Sequence, residues 1–261
     1  MRIFFARHAE RIDIAFGYNW IEKAFDQDGK YQRINLNMPN RLPTRLDKKD
    51  FIGDSPITEI GKFQARLTGD ALGSQGYKFS YCYVSPSLRC IQTAHQILKA
   101  QGVEKQVKMR IDASLFETTS LYKKGIPKFL TKESLLKYGF NIDTMYKPLL
   151  TVERLKPKEG YVNYYHRSFN MAKFLASQHE IEGGNILVVG HAGTLEACTR
   201  QITGSQIRSL QEFNSVISKT PFLGICLIEK EQKQFKLKHS GIPPLAHHSN
   251  INFDAASVLQ F

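Results

Sequence analysis

Two histidines, three arginines and one glutamate stand where apolar runs of this chain give way to polar residues. "RIFFA" (2–6) runs into Arg7, His8 and Arg11; "FSYCYV" (79–84) leads into Arg89; the segment near 110 runs toward Glu117; "NILVVG" (185–190) delivers His191. If these runs are parallel strands, their carboxyl ends share one crevice and the six groups converge there. The chemistry that needs this set is phosphoryl transfer through histidine. Guanidinium groups bind phosphate oxygens with paired charge-assisted hydrogen bonds and offset charge in the transition state, so Arg7, Arg11 and Arg89 are phosphate-binding candidates. A neutral imidazole attacks phosphorus if its other nitrogen donates to a fixed acceptor, the role assigned to His8. His191 is expected to bind the transferring oxygens as a cation. Glu117, with its pKa raised by burial and by the bound dianion, is expected to protonate the leaving oxygen and then deprotonate water.

Taken singly, each residue has a plainer reading. A histidine after a strand is often a satisfied polar group, Arg7 and Arg11 could be surface partners of Glu10, and Arg89 could be one more exposed helical arginine. Four separate strand ends carrying suitable residue types are harder to obtain from surface scatter.

The elements that must position these residues alternate. "ITEIGKFQARLTGDALGSQG" (57–76) places Ile60, Phe63, Leu67 and Leu72 near helical spacing, with Thr58 as N-cap and Gly73 or Gly76 as the stop. "SPSLRCIQTAHQILKAQG" (85–102) puts Leu88, Ile91 and Leu98 on one stripe behind Ser85 and Pro86, and "VKMRIDASLFE" reads as the next strand. A helix over 161–178, a strand, tight corner and helix over 183–204, and a closing hairpin turning at Lys230 to Lys233 complete the rhythm. The expected fold is α/β, a mostly parallel central sheet with helices on both faces. Residues 1–261 are expected to form a single domain, with insertions at about 12–56 and 118–157 that are too long for simple loops and cover the site.

Composition narrows the class. No apolar stretch reaches the ~18 residues of a membrane span, and Arg2, Arg7, Glu10 and Arg11 interrupt any signal-peptide core. The cysteines Cys82, Cys90, Cys198 and Cys226 are scattered, as in reduced core thiols of a cytoplasmic protein. None has an arginine six residues on, which excludes the cysteine-based tyrosine phosphatase signature. A net charge of +12 fits a phosphate pocket or a solvated lysine surface; without basic blocks or RNP-type aromatics, nucleic acid is not an expected partner. His247 and His248 lack a third ligand at suitable spacing, so no metal site and no cofactor are expected.

"RHAER", "SPSLRCIQTA", "LFE" and "VVGHAGTLEA", in this order, resemble the histidine phosphatase (phosphoglycerate mutase-like) superfamily. Within it, "NWIEKAFDQDGKYQRINLNMP", "DSPITEIGKFQARLTGDAL" and "YVSPSLRCIQTAHQILK" are similar to the C-terminal phosphatase domain of the Sts/TULA proteins and to insect ecdysteroid-phosphate phosphatases. The resemblance implies a phosphoglycerate mutase-like fold, a nucleophile at His8, phosphate-binding Arg7, Arg11 and Arg89, an acid at Glu117 and a second histidine at His191. It implies a metal-independent phosphatase and a homodimer. The substrate would be a phosphorylated (phosphotyrosine) protein or a small-molecule phosphoester of a bulky, steroid-like alcohol, and Trp20 and the aromatic-rich insertions suit either.

The chain departs from the family pattern in places. Ala9 stands where the family usually has glycine, and its methyl group is expected to crowd a backbone close to the phosphate. Ala192, Gly193 and Thr194 replace Ala-Ser-Ser. Two alternatives stay open at this level: a catalytically weak phosphate-recognising binding module, and a phosphomutase. The chain begins at its first strand, which fits a stand-alone phosphatase or an excised domain.

Overall fold

The computed structural model describes residues 1–232, 234–243 and 245; His247 and His248 lie outside the described residues. In chain order the elements are β1 (Arg2–Arg7), α1 (Ile12–Phe16), α2 (Trp20–Ala24), α3 (Glu59–Ser74), β2 (Tyr81–Val84), α4 (Leu88–Ala100), β3 (Met109–Ile111) and α5 (Lys132–Tyr138). There follow α6 (Tyr161–Gln178), β4 (Asn185–Gly190), α7 (Ala192–Thr199), α8 (Leu210–Lys219), β5 (Ile225–Glu231) and β6 (Gln234–Lys238). The sheet order is β3-β2-β4-β1-β5-β6. The first four strands in that order run parallel, and the β5–β6 hairpin closes one edge antiparallel to β1. Among the described residues no helix is long and apolar enough to cross a membrane.

Period two in β1 divides the core. Phe4 and Ala6 face a cluster with Leu72, Leu88, Ile91 and Ala94 from α3 and α4. Ile3 and Phe5 face the other side, against Met171 and Leu175 of α6 and Leu195 and Cys198 of α7. Each buried strand is therefore apolar on both faces, as a helix-covered parallel sheet requires. The chain is α/β as expected.

Three expectations need correction. In α3, Thr58 does cap the helix, its Oγ1 accepting from Gly61 N–H at 2.9 Å, but Ile60, Phe63 and Leu67 are exposed. The buried face is Gly61, Ala65, Thr68, Gly69 and Leu72. Close contact with α4 is the reason, since a Cβ on Gly69 would come within 2.6 Å of the Ile97 carbonyl oxygen. The strand near 110 is only Met109–Ile111. Asp112 ends it by accepting from Ser114 N–H, Tyr146 Oη and Leu149 N–H at 2.8, 2.7 and 2.6 Å, so Glu117 sits on a loop. Trp20 is fully buried against Phe25 and Phe51 and offers no wall to a substrate.

The long stretches 12–56 and 118–157 touch one another: Arg45 Nη1 donates to the Lys128 carbonyl at 2.7 Å, and Lys128 lies 3.6 Å from Asp50. Arg45 also ion-pairs with Asp54, which is buried and accepts Leu88 N–H at 2.7 Å. A residue of the first stretch thus satisfies an otherwise unpaired donor at the start of α4, one residue before Arg89.

Candidate active site

β1 and β4 lie side by side in parallel register, Arg7 opposite Gly190, so His8 and His191 leave the sheet together. Their ring centroids are 5.4 Å apart and both side chains are buried. β2, on the other side of β4, ends at Val84 just before Ser85, and the first turn of α4 brings Arg89 into the same crevice.

His8 Nδ1 lies 2.9 Å from the carbonyl oxygen of its neighbour Ala9. A carbonyl only accepts, so Nδ1 carries the proton and the lone pair is on Nε2. Burial, then the charges of Arg89 and Arg7, push the His8 pKa well below the usual value, and the ring is neutral at pH 7. Ala9 is itself held by Thr93 Oγ1, which accepts its N–H at 2.9 Å. Its φ is not positive, so the backbone makes no demand for glycine here, and the methyl group is buried in the core cluster.

Arg89 is fully buried. Its Nη2 donates to Glu117 Oε1 at 2.6 Å, to Tyr122 Oη at 3.0 Å and to His191 Nδ1 at 3.2 Å, while Nε and Nη1 have no hydrogen-bond partner among the described residues. Arg7 shows the same pattern: one nitrogen bonds the Thr220 carbonyl, the guanidinium lies 4.3 Å over the Phe222 ring, and the buried Nε is unpaired among the described residues. Burial, with Arg11 and Arg89 nearby, lowers the Arg7 pKa to about 10. Arg11 pairs with Asp13 at 2.9 and 2.5 Å, not with Glu10, which turns away to accept from Thr58 and Asn37. Buried donors without acceptors beside three guanidinium groups fit a ligand with several negative oxygens.

As the residues stand, the surroundings of His191 favour its neutral ring. Because Arg89 can only donate, Nδ1 of His191 is an acceptor, and the ring proton sits on Nε2, 2.9 Å from Ser85 Oγ. Burial and the arginines hold its pKa well below the usual value. Glu117 departs from expectation in the opposite sense. Burial favours its neutral form, but Arg89 and Arg11, helped by the Tyr122 hydroxyl, outweigh burial and keep the carboxyl below its ordinary range. Its loop is clamped by Arg167, which donates to the carbonyls of Ser114 and Phe116 at 2.9 and 2.8 Å and pairs with Glu159.

All six sequence-derived residues therefore gather in one crevice. Ser85, Asp13, Arg167 and Tyr122 join them unannounced; Ser85 sits at a strand end and was open to the same positional argument, whereas Tyr122 lies in a stretch without periodicity. Thr194 caps α7 by accepting His191 N–H at 2.9 Å. A Cβ on Gly193 would meet Tyr164 at 3.0 Å and Phe213 at 3.2 Å, a tight fit beside the second histidine.

Residues 48–242 match the model of the histidine phosphatase superfamily (branch 1). The chain belongs to the histidine phosphatase superfamily. The matched span contains Arg89, Glu117 and His191 and starts after His8. Ubiquitin-associated and SH3 domain-containing protein B of Mus musculus is 39% identical over 98% of this chain and 41% of that protein. The ecdysteroid-phosphate phosphatase of Drosophila melanogaster is 37% identical over 97% of this chain and 34% of that protein. The chain thus spans about two fifths or less of these relatives' length, as the 41% and 34% show. The ecdysone phosphate phosphatase of Bombyx mori, solved in complex with tungstate, superposes with a TM-score of 0.85 at 26% identity over 98% of this chain and 99% of that one. A phosphoglycerate mutase from Bacillus anthracis shares the fold alone, with a TM-score of 0.50 and 14% identity over 91% of each chain.

Proposed function

We propose that this superfamily member hydrolyses phosphomonoesters through a phosphohistidine formed on His8. The observation that carries the reading is the His8 Nδ1 contact to the Ala9 carbonyl at 2.9 Å, which leaves the lone pair on Nε2 of a ring that feels the charges of Arg89, Arg7 and Arg11. In the first step Nε2 attacks phosphorus, the ester P–O bond breaks, and the leaving oxygen takes a proton from Glu117. In the second, water attacks the phosphorus, Glu117 takes the water proton, the P–N bond breaks, and inorganic phosphate leaves a neutral His8. Arg7, Arg11 and Arg89 bind the equatorial oxygens, and donors so placed contribute about 10²–10³-fold each in rate.

Glu117 is ionised as the residues stand, so its proton arrives with the substrate. A phosphate dianion beside the carboxylate raises its proton affinity, and a monoanionic ester brings the proton itself. His191 orients Arg89 through Nδ1 and is held in turn by Ser85 through Nε2. Phosphate charge is met by guanidinium groups, so the reading is metal-independent.

The substrate class put forward is a phosphotyrosine protein or the phosphate ester of a bulky, steroid-like alcohol, supported by the relatives named for ecdysteroid phosphate. A cytoplasmic homodimer in which residues 1–261 form one domain is proposed with it. Four free cysteines among the described residues, three of them buried, support the reducing compartment. Hydrolysis of p-nitrophenyl phosphate in EDTA tests the reading: wild type turns over and His8→Ala does not. Equal activity in both contradicts it.

A further inference from the structure

Tyr122 has no part in the mechanism above, yet its hydroxyl lies within it. The Oη donates to Glu117 Oε1 at 2.6 Å and accepts from Arg89 Nη2 at 3.0 Å, closing a triangle of three side chains. Its ring packs on Phe116, centroids 5.1 Å apart, and Phe116 in turn meets the His191 ring at 5.5 Å. Packing alone would be served by phenylalanine; only the hydroxyl reaches the carboxylate.

We propose that Tyr122 is a positioning residue for Glu117: its hydroxyl pins Oε1 against Arg89 and leaves the second carboxylate oxygen to exchange protons with leaving group and water. The proposal rests on Glu117 acting as described above. Both hydrogen bonds to the carboxylate among the described residues end on Oε1, so a proton taken up by Glu117 goes to the other oxygen without breaking the triangle. Burial and the Glu117 charge push the phenol's own ionisation far upward, so it keeps its proton and acts as a donor throughout. A short charge-assisted bond of this kind favours the ionised carboxylate, the form that deprotonates water in the second step. It thereby disfavours the protonated form that the first step uses, and so sets the balance between the two halves of the reaction.

The test compares wild type with Tyr122→Phe, which keeps the ring and its packing. Side-chain ¹³C-labelled glutamate reports the Glu117 titration directly, and kcat for p-nitrophenyl phosphate is followed against pH. Loss of a hydrogen bond to the charged form moves the Glu117 midpoint up by about one pH unit. The acid limb of kcat moves with it where the water step limits turnover. If Tyr122→Phe is too unstable to titrate, a difluorotyrosine at this position, a stronger donor, moves the midpoint down. An unmoved Glu117 midpoint in the folded variant overturns the proposal, whether or not activity falls. A midpoint that moves while the rate profile stays fixed supports the Tyr122 coupling and instead contradicts the role given to Glu117.

Discussion

Arg89 Nη2 lies 3.2 Å from His191 Nδ1, and since arginine cannot accept, this contact favours a neutral second histidine with its proton turned toward Ser85. Two neutral histidines beside three arginines make a pocket that holds strong positive charge without protonating its nucleophile.

That arrangement makes folding pH-dependent. His8 and His191 both titrate well below their unfolded value of about 6.5. Below that pH the unfolded chain binds protons that the folded pocket refuses, so stability falls as pH drops and is fully retained above it. Each histidine that stays neutral contributes a loss of up to about 1.4 kcal/mol per pH unit. Melting temperatures between pH 7.5 and 5.5 should decline, and less steeply in His191→Asn; a flat profile for wild type would contradict the neutral assignment.

Arg89 does its work with all its nitrogens. Nη2 serves Glu117, Tyr122 and His191, while Nε and Nη1 remain for phosphate. Lysine offers a point charge and no fork, so Arg89→Lys should lower kcat/KM by about 10²–10³-fold although the charge is kept. Steady-state kinetics on p-nitrophenyl phosphate measures this, and near wild-type turnover would show that charge alone suffices.

Asp54 links the first long stretch to the phosphate pocket. Burial pushes its carboxyl upward against the pull of Arg45, so the pair itself is an expensive element of the interior. Removing one partner leaves Arg45 uncompensated and Leu88 N–H unbonded. Asp54→Ala should therefore cost about 3–5 kcal/mol in urea unfolding. It should also reduce kcat, because Leu88 starts the turn that carries Arg89. Unchanged stability would remove Asp54 from this role.

Much of this site was legible because strand ends in a parallel sheet are places as well as residues. "RIFFA" and "NILVVG" announce buried strands by their apolar runs, and the polar residues after them had to meet. The face of α3 was not legible, since the spacing of Ile60, Phe63 and Leu67 is helical in either orientation and only the approach of Gly69 to Ile97 decides which side is buried. Asp54 and Tyr122 lie in stretches without periodicity, and Arg167, although on the helix over 161–178, acts on carbonyls some fifty residues away, so no local pattern marks any of the three. The protonation states of His191 and Glu117 depended on distances to Arg89, which no spacing encodes.

Ala9 provides a milder check. Its N–H and carbonyl do the positioning, and its φ suits any residue. Ala9→Gly should leave kcat/KM at the wild-type value and lower stability by about 0.4–1 kcal/mol through the freer unfolded chain. A large gain in activity would show instead that the methyl group obstructs the pocket.

The most direct test of the account is to catch the phosphoryl group on its residue. Wild-type protein mixed with p-nitrophenyl phosphate, quenched in base within the first turnover and digested for mass spectrometry, should yield the peptide containing His8 carrying one phosphoryl group that acid removes. His8→Ala should yield none. Rapid turnover with no phosphorylated His8, or with phosphate on another residue, would contradict the claim that His8 is the nucleophile.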